Sequence, residues 1–282
     1  MKNQVHNVII VGGTGLLGYH SGLEFLRKGY KVTALSLPDI DLRGWFPEEI
    51  EVIHGDVFEM TTETLVSLFR GFDAMIYAVG PDDRTVPMVP AEKFFKEKLV
   101  DHCTRLFESA TLAGVKRAVL LNSYFAHFNR LWPHLELTGR HTYINARVEQ
   151  AREAIRVSKT EMDTMVLELP YIFGTMPGRV PLWKDIFLER LLKFNPVFYP
   201  KGGSTMIRVE NVAEAIVGAV ERGIHGCRYT IGDVNMSWKE MLGIMFEAIG
   251  VRRRIVHLPA WIATIVGGFM MWRERNRGRE PG

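Results

Sequence analysis

At 282 residues the chain can form one large domain or two modest ones, and it is long enough to bury a substantial core. Its 47% hydrophobic and 24% charged content excludes a disordered or fibrous chain. A formal charge of +3, without interleaved aromatic and basic residues, argues against a nucleic-acid partner. The two cysteines, Cys103 and Cys227, fit neither a metal spacing nor a disulfide framework, so no metal is expected and the expected compartment is the reducing cytoplasm.

From the N-terminus, V-H-N-V-I-I-V-G-G reads as a buried strand ending in glycine, with no signal peptide expected ahead of it. G-Y-H-S-G-L-E-F-L-R-K-G-Y reads as a helix closed by Gly29. K-V-T-A-L-S, E-V-I-H-G-D and A-M-I-Y-A-V-G are the next strands, and Ala91 to Ala113 is a long helix ending at Gly114. R-A-V-L-L-N-S and T-M-V-L-E-L-P complete a set of six strands. Continuous apolar strands separated by helices imply a parallel sheet covered on both faces. This α/β, Rossmann-type doubly wound fold binds its ligands beyond the carboxyl ends of the strands.

After about Gly178 the rhythm changes, with proline, glycine and aromatic residues prominent in P-L-W-K-D-I-F and N-P-V-F-Y-P-K-G-G. A helix near Val212, a short strand C-R-Y-T-I-G and a helix from Ser237 to Ile249 follow, the last opened by a Ser237/Glu240 capping box. The expected division is a dinucleotide-binding domain over residues 1–178 and a smaller mixed α/β substrate region over 179–282. Leu258 to Trp272 is uncharged and followed by R-E-R-N-R-G-R, but is shorter than the roughly 18 to 20 residues of a membrane span. It reads as a buried helix, with peripheral membrane contact or an apolar substrate entrance as the alternative.

V-G-G-T-G-L-L-G follows the first strand and opens the first helix, with Gly12, Gly15 and Gly18 three residues apart. The first glycine permits a tight turn, the second the approach of a pyrophosphate, and the third close packing of helix on strand. Amides of Gly15, Leu16 and Leu17 are expected to face the phosphates at the positive end of the helix. Tyr143 and Arg147 stand four residues apart in H-T-Y-I-N-A-R, which puts a phenol and a guanidinium on one helical face.

These motifs, in this order, resemble the extended short-chain dehydrogenase/reductases, also called the NAD-dependent epimerase/dehydratase family. The resemblance runs over nearly the whole chain. G-G-T-G-L-L-G, including Thr14, matches the cofactor turn, and H-G-D-V matches the segment whose Asp56 and Val57 meet the adenine. Y-A-V-G, with Ala78, Val79 and Gly80, matches the strand end that passes the nicotinamide ribose. L-N-S supplies the serine, Ser123, and L-P-Y-I-F-G, with Pro170 and Ile172, matches the loop after the sixth strand. V-E-N-V-A-E-A-I and Y-T-I-G-D resemble substrate-region signatures.

The resemblance implies a tyrosine that moves the proton while hydride passes between a nicotinamide and a carbon bearing oxygen. Tyr143 takes that position, Ser123 is expected to hydrogen-bond the substrate oxygen, and Arg147 stands where the family has lysine. A phenol has a pKa near 10, and an adjacent permanent cation favours its phenolate. Tyr124 is a weaker candidate for the same role. Ser36 occupies the position of the acid that holds the ribose of NAD, with Leu37 beside it and Arg43 nearby; a missing carboxylate leans the choice from NAD toward NADP.

S-Y-F-A-H-F lacks the Asp-Glu pair of sugar-nucleotide dehydratases, and Ser204 stands where epimerases carry a diphosphate-binding arginine, with Arg208 nearby. His127, His134 and His141 flank the site without a metal pattern. V-E-N-V and the apolar segment look more like the 3β-hydroxysteroid dehydrogenase and dihydroflavonol reductase branches. Phe125, Phe128, Trp132, Trp183, Phe187 and Phe198 are candidate pocket residues or plain core. The expected activity is oxidation or reduction of a secondary alcohol or ketone on a small or apolar molecule. A nucleotide-sugar epimerase and a non-catalytic NAD(P)-binding protein are the alternatives. The family also suggests a homodimer through Ala91 to Ala113 and Tyr143 to Val157.

Overall fold

A computed structural model describes residues 5–159, 161–181 and 183–280. Residues 1–4, part of the N-terminal reading, lie outside the described residues, as does Leu182 of P-L-W-K-D-I-F. The first half alternates β1 (Asn7–Val11), α1 (Leu16–Arg27), β2 (Lys31–Ser36), β3 (Glu51–His54), α2 (Thr62–Phe69) and β4 (Ala74–Tyr77). The long helix follows as α3 (Ala91–Phe95), a π-helical stretch Lys96–Asp101, and α4 (His102–Ala113), closed by Gly114 at φ +89°. Then come β5 (Arg117–Ser123), α5 (Tyr124–Leu131), the short α6 (Leu137–Arg140), α7 (Thr142–Ser158) and β6 (Asp163–Leu169).

Strand alternation builds two cores. Ile9, Met75 and Leu120 face α2, α4 and α7 through Phe69, Phe107 and Ala151. Their neighbours Ile10, Ile76 and Val119 point the other way, toward Phe25 of α1. Both faces of a parallel sheet are thus buried, which is why its strands are apolar at nearly every position.

The remaining elements are β7 (Tyr171–Phe173), β8 (Val197–Pro200), β9 (Gly203–Arg208), α8 (Val209–Arg222), β10 (Arg228–Thr230), β11 (Val234–Ser237), α9 (Trp238–Ala248), β12 (Ile255–Leu258) and α10 (Ala260–Arg275). The main sheet has seven strands rather than six, in the order β10-β6-β5-β4-β1-β2-β3, because C-R-Y-T-I-G pairs in parallel with β6. The segment that follows residue 178 therefore contributes to the sheet's own layers: α8 packs on α1, and its Val212, Ile216 and Val220 join the core beneath β5 and β6. Glu168, fully buried on β6, fastens this edge. It accepts two bonds from Arg130 of α5, each 2.5 Å, and one from Thr230 of β10 at 3.2 Å.

A three-stranded sheet, β11-β9-β7, and the parallel pair β12-β8 form the smaller mixed region. They enclose a core of Phe187, Val197, Leu242 and Phe246. The Ser237/Glu240 capping box is present at the start of α9. The apolar helix α10 departs from its expected burial. None of its residues is buried. Continuous hydrophobicity signals removal from water, but only a neighbouring element can accomplish it, and the described residues leave this helix half-covered at most.

Candidate active site

The carboxyl ends of β1, β4, β5 and β6 open onto one cavity of about 420 Å³. Its walls include Leu16 and Leu17 from α1, Ala78 to Gly80 after β4, Ser123 at the end of β5, Tyr143 and Arg147 on α7, and Pro170 and Ile172 after β6. Residues spread over more than 150 positions of sequence meet here because parallel strands all deliver their carboxyl ends to one edge of the sheet.

Gly12 sits at φ +83°, and a Cβ there would stand 2.5 Å from Val79 and 2.8 Å from the Ala78 carbonyl oxygen. A Cβ at Gly18 would collide with the Gly12 carbonyl oxygen and stand 2.6 Å from the Gly13 Cα. The expected role of Gly15 needs one correction: its N–H donates to the Gly12 carbonyl at 3.0 Å, closing the turn. The first intrahelical donor is Tyr19, to the Gly15 carbonyl at 2.8 Å, so helix geometry leaves the amides of Leu16 and Leu17 for an anion.

Thr14 is buried, and its hydroxyl shares a 3.0 Å hydrogen bond with that of Ser36. Ser36 also donates to the Leu37 carbonyl, so its side chain turns inward rather than toward a ribose. Arg43 is held by Asp41 through two side-chain bonds of 2.9 and 2.8 Å. Asp56 accepts from the Phe58 amide, and the carbonyls of Val57 and Phe58 are both held by Arg105. These groups stand outside the walls of the cavity, at the end of the sheet where β2 and β3 pair.

The proton-transfer candidates are concentrated at α7. Tyr143 is buried, and the guanidinium carbon of Arg147 lies 6.0 Å from the centre of its ring. Arg147 donates through Nη2 to the Leu121 carbonyl at 2.9 Å, while its buried Nε has no protein partner. Burial raises the phenol of Tyr143 above its ordinary value; Arg147 opposes this, Asp83 adds to it, and the Ser123 hydroxyl opposes it. Ser123 caps α5, its Oγ accepting from the Phe125 amide at 3.3 Å, which leaves the hydroxyl proton free to be donated.

Two features escaped the sequence reading. Asn122 accepts from the Ser123 amide at 2.7 Å and donates to the Arg147 carbonyl at 2.9 Å. It thus ties the end of β5 to the turn of α7 that carries the phenol and the cation. Asp82, Asp83 and Arg84 also line the cavity. Burial and then Asp82 raise the Asp83 carboxyl, whereas burial lowers His141 and Asp83 opposes that lowering. P-D-D-R directly after a strand end was the available signal.

Of the aromatic candidates, Trp183 and Phe187 line the cavity. Phe125, Phe128, Trp132 and Phe198 do not: Phe125 packs on Tyr143 from behind, Phe128 stacks on Trp132, and Phe198 is exposed. Tyr124 also lies outside the wall, packed against His127 and Phe128. His127 contacts Thr230, and His134 is exposed in a short 3-10 turn. Neither Ser204 nor Arg208 lines the cavity. Among the described residues no group of histidines, cysteines or acids is arranged to hold a metal.

The model of the NAD dependent epimerase/dehydratase family matches residues 8–232, from β1 through β10. The chain belongs to that family. A ceramide reductase from Caulobacter vibrioides is 24% identical over 257 residues, covering 89% of this chain and 73% of that protein. Among solved structures, gox2253 superposes with a TM-score of 0.76 at 19% identity, covering 97% of this chain and 84% of its own. A nucleoside-diphosphate-sugar epimerase from Pseudomonas aeruginosa has a TM-score of 0.74 at 16% identity, covering 94% and 85%. Membership implies a nicotinamide dinucleotide, and the residues present fit one. The glycine turn keeps side chains away from the backbone, two helix amides face outward, and the buried Arg147 Nε has a donor to spare beside the cavity.

Proposed function

We propose that the protein is an NAD(P)-dependent oxidoreductase that interconverts a secondary alcohol and a ketone on an apolar, lipid-like molecule. The observation that carries this reading is one cavity lined by Ser123, Tyr143 and Arg147 together with Met176, Val180, Pro181, Trp183, Ile186 and Phe187. A polar reacting end and an apolar channel are what a hydrocarbon bearing one oxygen function requires. The name of the ceramide reductase relative points to the same substrate class.

The bound nicotinamide supplies or accepts the hydride. Tyr143, a phenol protonated at neutral pH and kept so by burial, donates the proton to the carbonyl oxygen during reduction and recovers it during oxidation. Ser123 donates a hydrogen bond to the same oxygen and orients it. Arg147 stabilises negative charge on the phenol in the oxidative direction, and its unpartnered Nε is the group that would hold the nicotinamide ribose.

Epimerisation of a sugar nucleotide is less well supported, because neither Ser204 nor Arg208 lines the cavity. The resemblance to the 3β-hydroxysteroid dehydrogenase and dihydroflavonol reductase branches fits the apolar wall. With Ser36 in place of an acid, we infer a preference for NADPH over NADH. The deciding experiment follows NADPH and NADH oxidation with long-chain and steroid ketones beside uridine-diphosphate sugars. Ketone-dependent oxidation that falls about 10²- to 10⁴-fold in Tyr143→Phe is the expected result. Interconversion of sugar nucleotides without net cofactor change would overturn it.

A further inference from the structure

The helix α10 and the arginines around it belong to no part of the site described above. Trp261, Ile265, Phe269 and Trp272 recur at helical spacing, so they form one stripe along its outer side. Trp261 is 66% exposed, Ile265 63% and Phe269 61%, and Phe269 stacks on Trp272 with ring centres 5.7 Å apart. The half-covered residues of the helix are Ile262, Ala263, Gly267 and Glu274, of which the last three recur on the side opposite the stripe. A helix of 16 residues is about 24 Å long, less than the ~30 Å of a bilayer's hydrocarbon core. No helix among the described residues is long and apolar enough to cross a membrane.

Charge identifies the occupant. Arg252, Arg253 and Arg254 precede β12, and Arg273, Arg275, Arg277 and Arg279 sit in or just after the last turn of α10. From 252 to 280 only Glu274 and Glu280 are acidic. Glu274 is occupied by Arg273 and Arg277, and Glu280 accepts from the Ala91 amide. An apolar stripe with a tryptophan at each end and arginines around it matches the boundary between acyl chains and anionic headgroups. A second copy of the chain would offer the stripe an equally arginine-rich face.

The helix is also tied to the cavity. Beyond it, the Gly278 carbonyl accepts from Val89 at 3.1 Å, and Glu280 donates from its amide to the Pro87 carbonyl at 2.9 Å. This pairing with residues 87–91 anchors the helix to the loop whose earlier part, Pro81 to Arg84, forms a wall of the cavity.

We propose that α10 docks in the interfacial plane of an anionic membrane, lying along the surface through Trp261, Ile265, Phe269 and Trp272 with its arginines on lipid phosphates. Docking places the cavity loop beside the bilayer, where an apolar substrate would be drawn; that consequence rests on the function proposed above, whereas the docking does not.

The test is flotation of the full chain with vesicles of phosphatidylcholine alone and of phosphatidylcholine mixed with phosphatidylglycerol, at low and high salt. The expected result is binding to the mixed vesicles, weakened by salt. Replacing Trp261→Ser and Phe269→Ser together lowers it by about tenfold or more, and Arg275→Gln and Arg277→Gln lower it by about fivefold each. The serine pair keeps wild-type dinucleotide binding, which shows that the fold is intact. Absence of flotation with either lipid would overturn the proposal, as would flotation insensitive to the serine pair, or a dimer in sedimentation equilibrium that this pair dissolves in place of vesicle binding. Vesicle binding without any ketone reduction would sink the proposed function and leave docking standing. Ketone reduction without vesicle binding would do the reverse.

Discussion

The guanidinium carbon of Arg147 lies 6.0 Å from the centre of the Tyr143 ring, and the same guanidinium is held by the Leu121 carbonyl at 2.9 Å. A permanent cation is thus fixed one helical turn from the phenol by the strand that also carries Ser123. The charge favours phenolate whether a guanidinium or an ammonium carries it. Arg147→Lys is accordingly expected to retain activity to within about tenfold. Arg147→Met removes the influence that opposes the raised phenol, so its alcohol oxidation should need more alkaline solution. Initial rates against pH in the oxidative direction check both.

Asp83 acts on the same phenol with the opposite sign. Its negative charge adds to the rise caused by burial. In Asp83→Asn the phenol should ionise at lower pH, so the rising limb of alcohol oxidation moves toward neutral. Reduction, which needs the protonated phenol, should begin to fall at lower pH than in the wild type. The difference should be full at neutral and alkaline pH, where Asp83 is charged, and should fade in acid as its raised carboxyl takes up a proton. Unchanged profiles in both directions would remove Asp83 from the site's electrostatics.

Asn122 holds the Ser123 amide and the Arg147 carbonyl from one fully enclosed side chain. Asn122→Leu removes both bonds; the Arg147 carbonyl keeps its partner within α7, so the cost falls on the Ser123 amide and is about 1–3 kcal/mol. The expected result is a lower melting temperature and a fall in kcat with little change in KM, because the residue positions the reacting groups through Ser123 and α7. A compensating Asn122→Asp variant restores the bond to the Ser123 amide alone and should recover part of kcat.

The glycine turn offers a steric test. Gly18→Ala drives a methyl group into the Gly12 carbonyl oxygen and the Gly13 backbone, neither of which can move without opening the turn. Overpacking of this kind costs about 1–3 kcal/mol. Dinucleotide affinity by fluorescence titration should fall more steeply than stability by thermal melting, since the displaced atoms form the phosphate cradle.

Cofactor choice can be probed at Leu37, which is 53% exposed at the end of β2. Leu37→Asp introduces a carboxylate just after β2, the end at which this fold reads the adenosine ribose, and should weaken NADPH relative to NADH by about tenfold. Equal effects on the two Kd values would place the adenosine end elsewhere.

Local chemistry alone determined much of this molecule. The period of the apolar residues marked the six principal strands, because each must bury both faces, and the three-residue glycine spacing marked the turn between β1 and α1. Tyr143 and Arg147 were legible as neighbours because the helix repeat fixes that relation without help from the rest of the chain. What only the tertiary structure decided were relations between segments. The inward turn of Ser36 depends on Thr14, the role of Asn122 on α7, and the approach of Asp83 to the phenol on the loop after β4. The seventh strand joins through its pairing with β6, and Glu168 adds bonds to both α5 and β10 at that edge. Burial of α10 was the clearest misreading: hydrophobicity is a property of a segment, but burial belongs to a pair of surfaces, and the sequence carries no local mark of what, if anything, stands opposite.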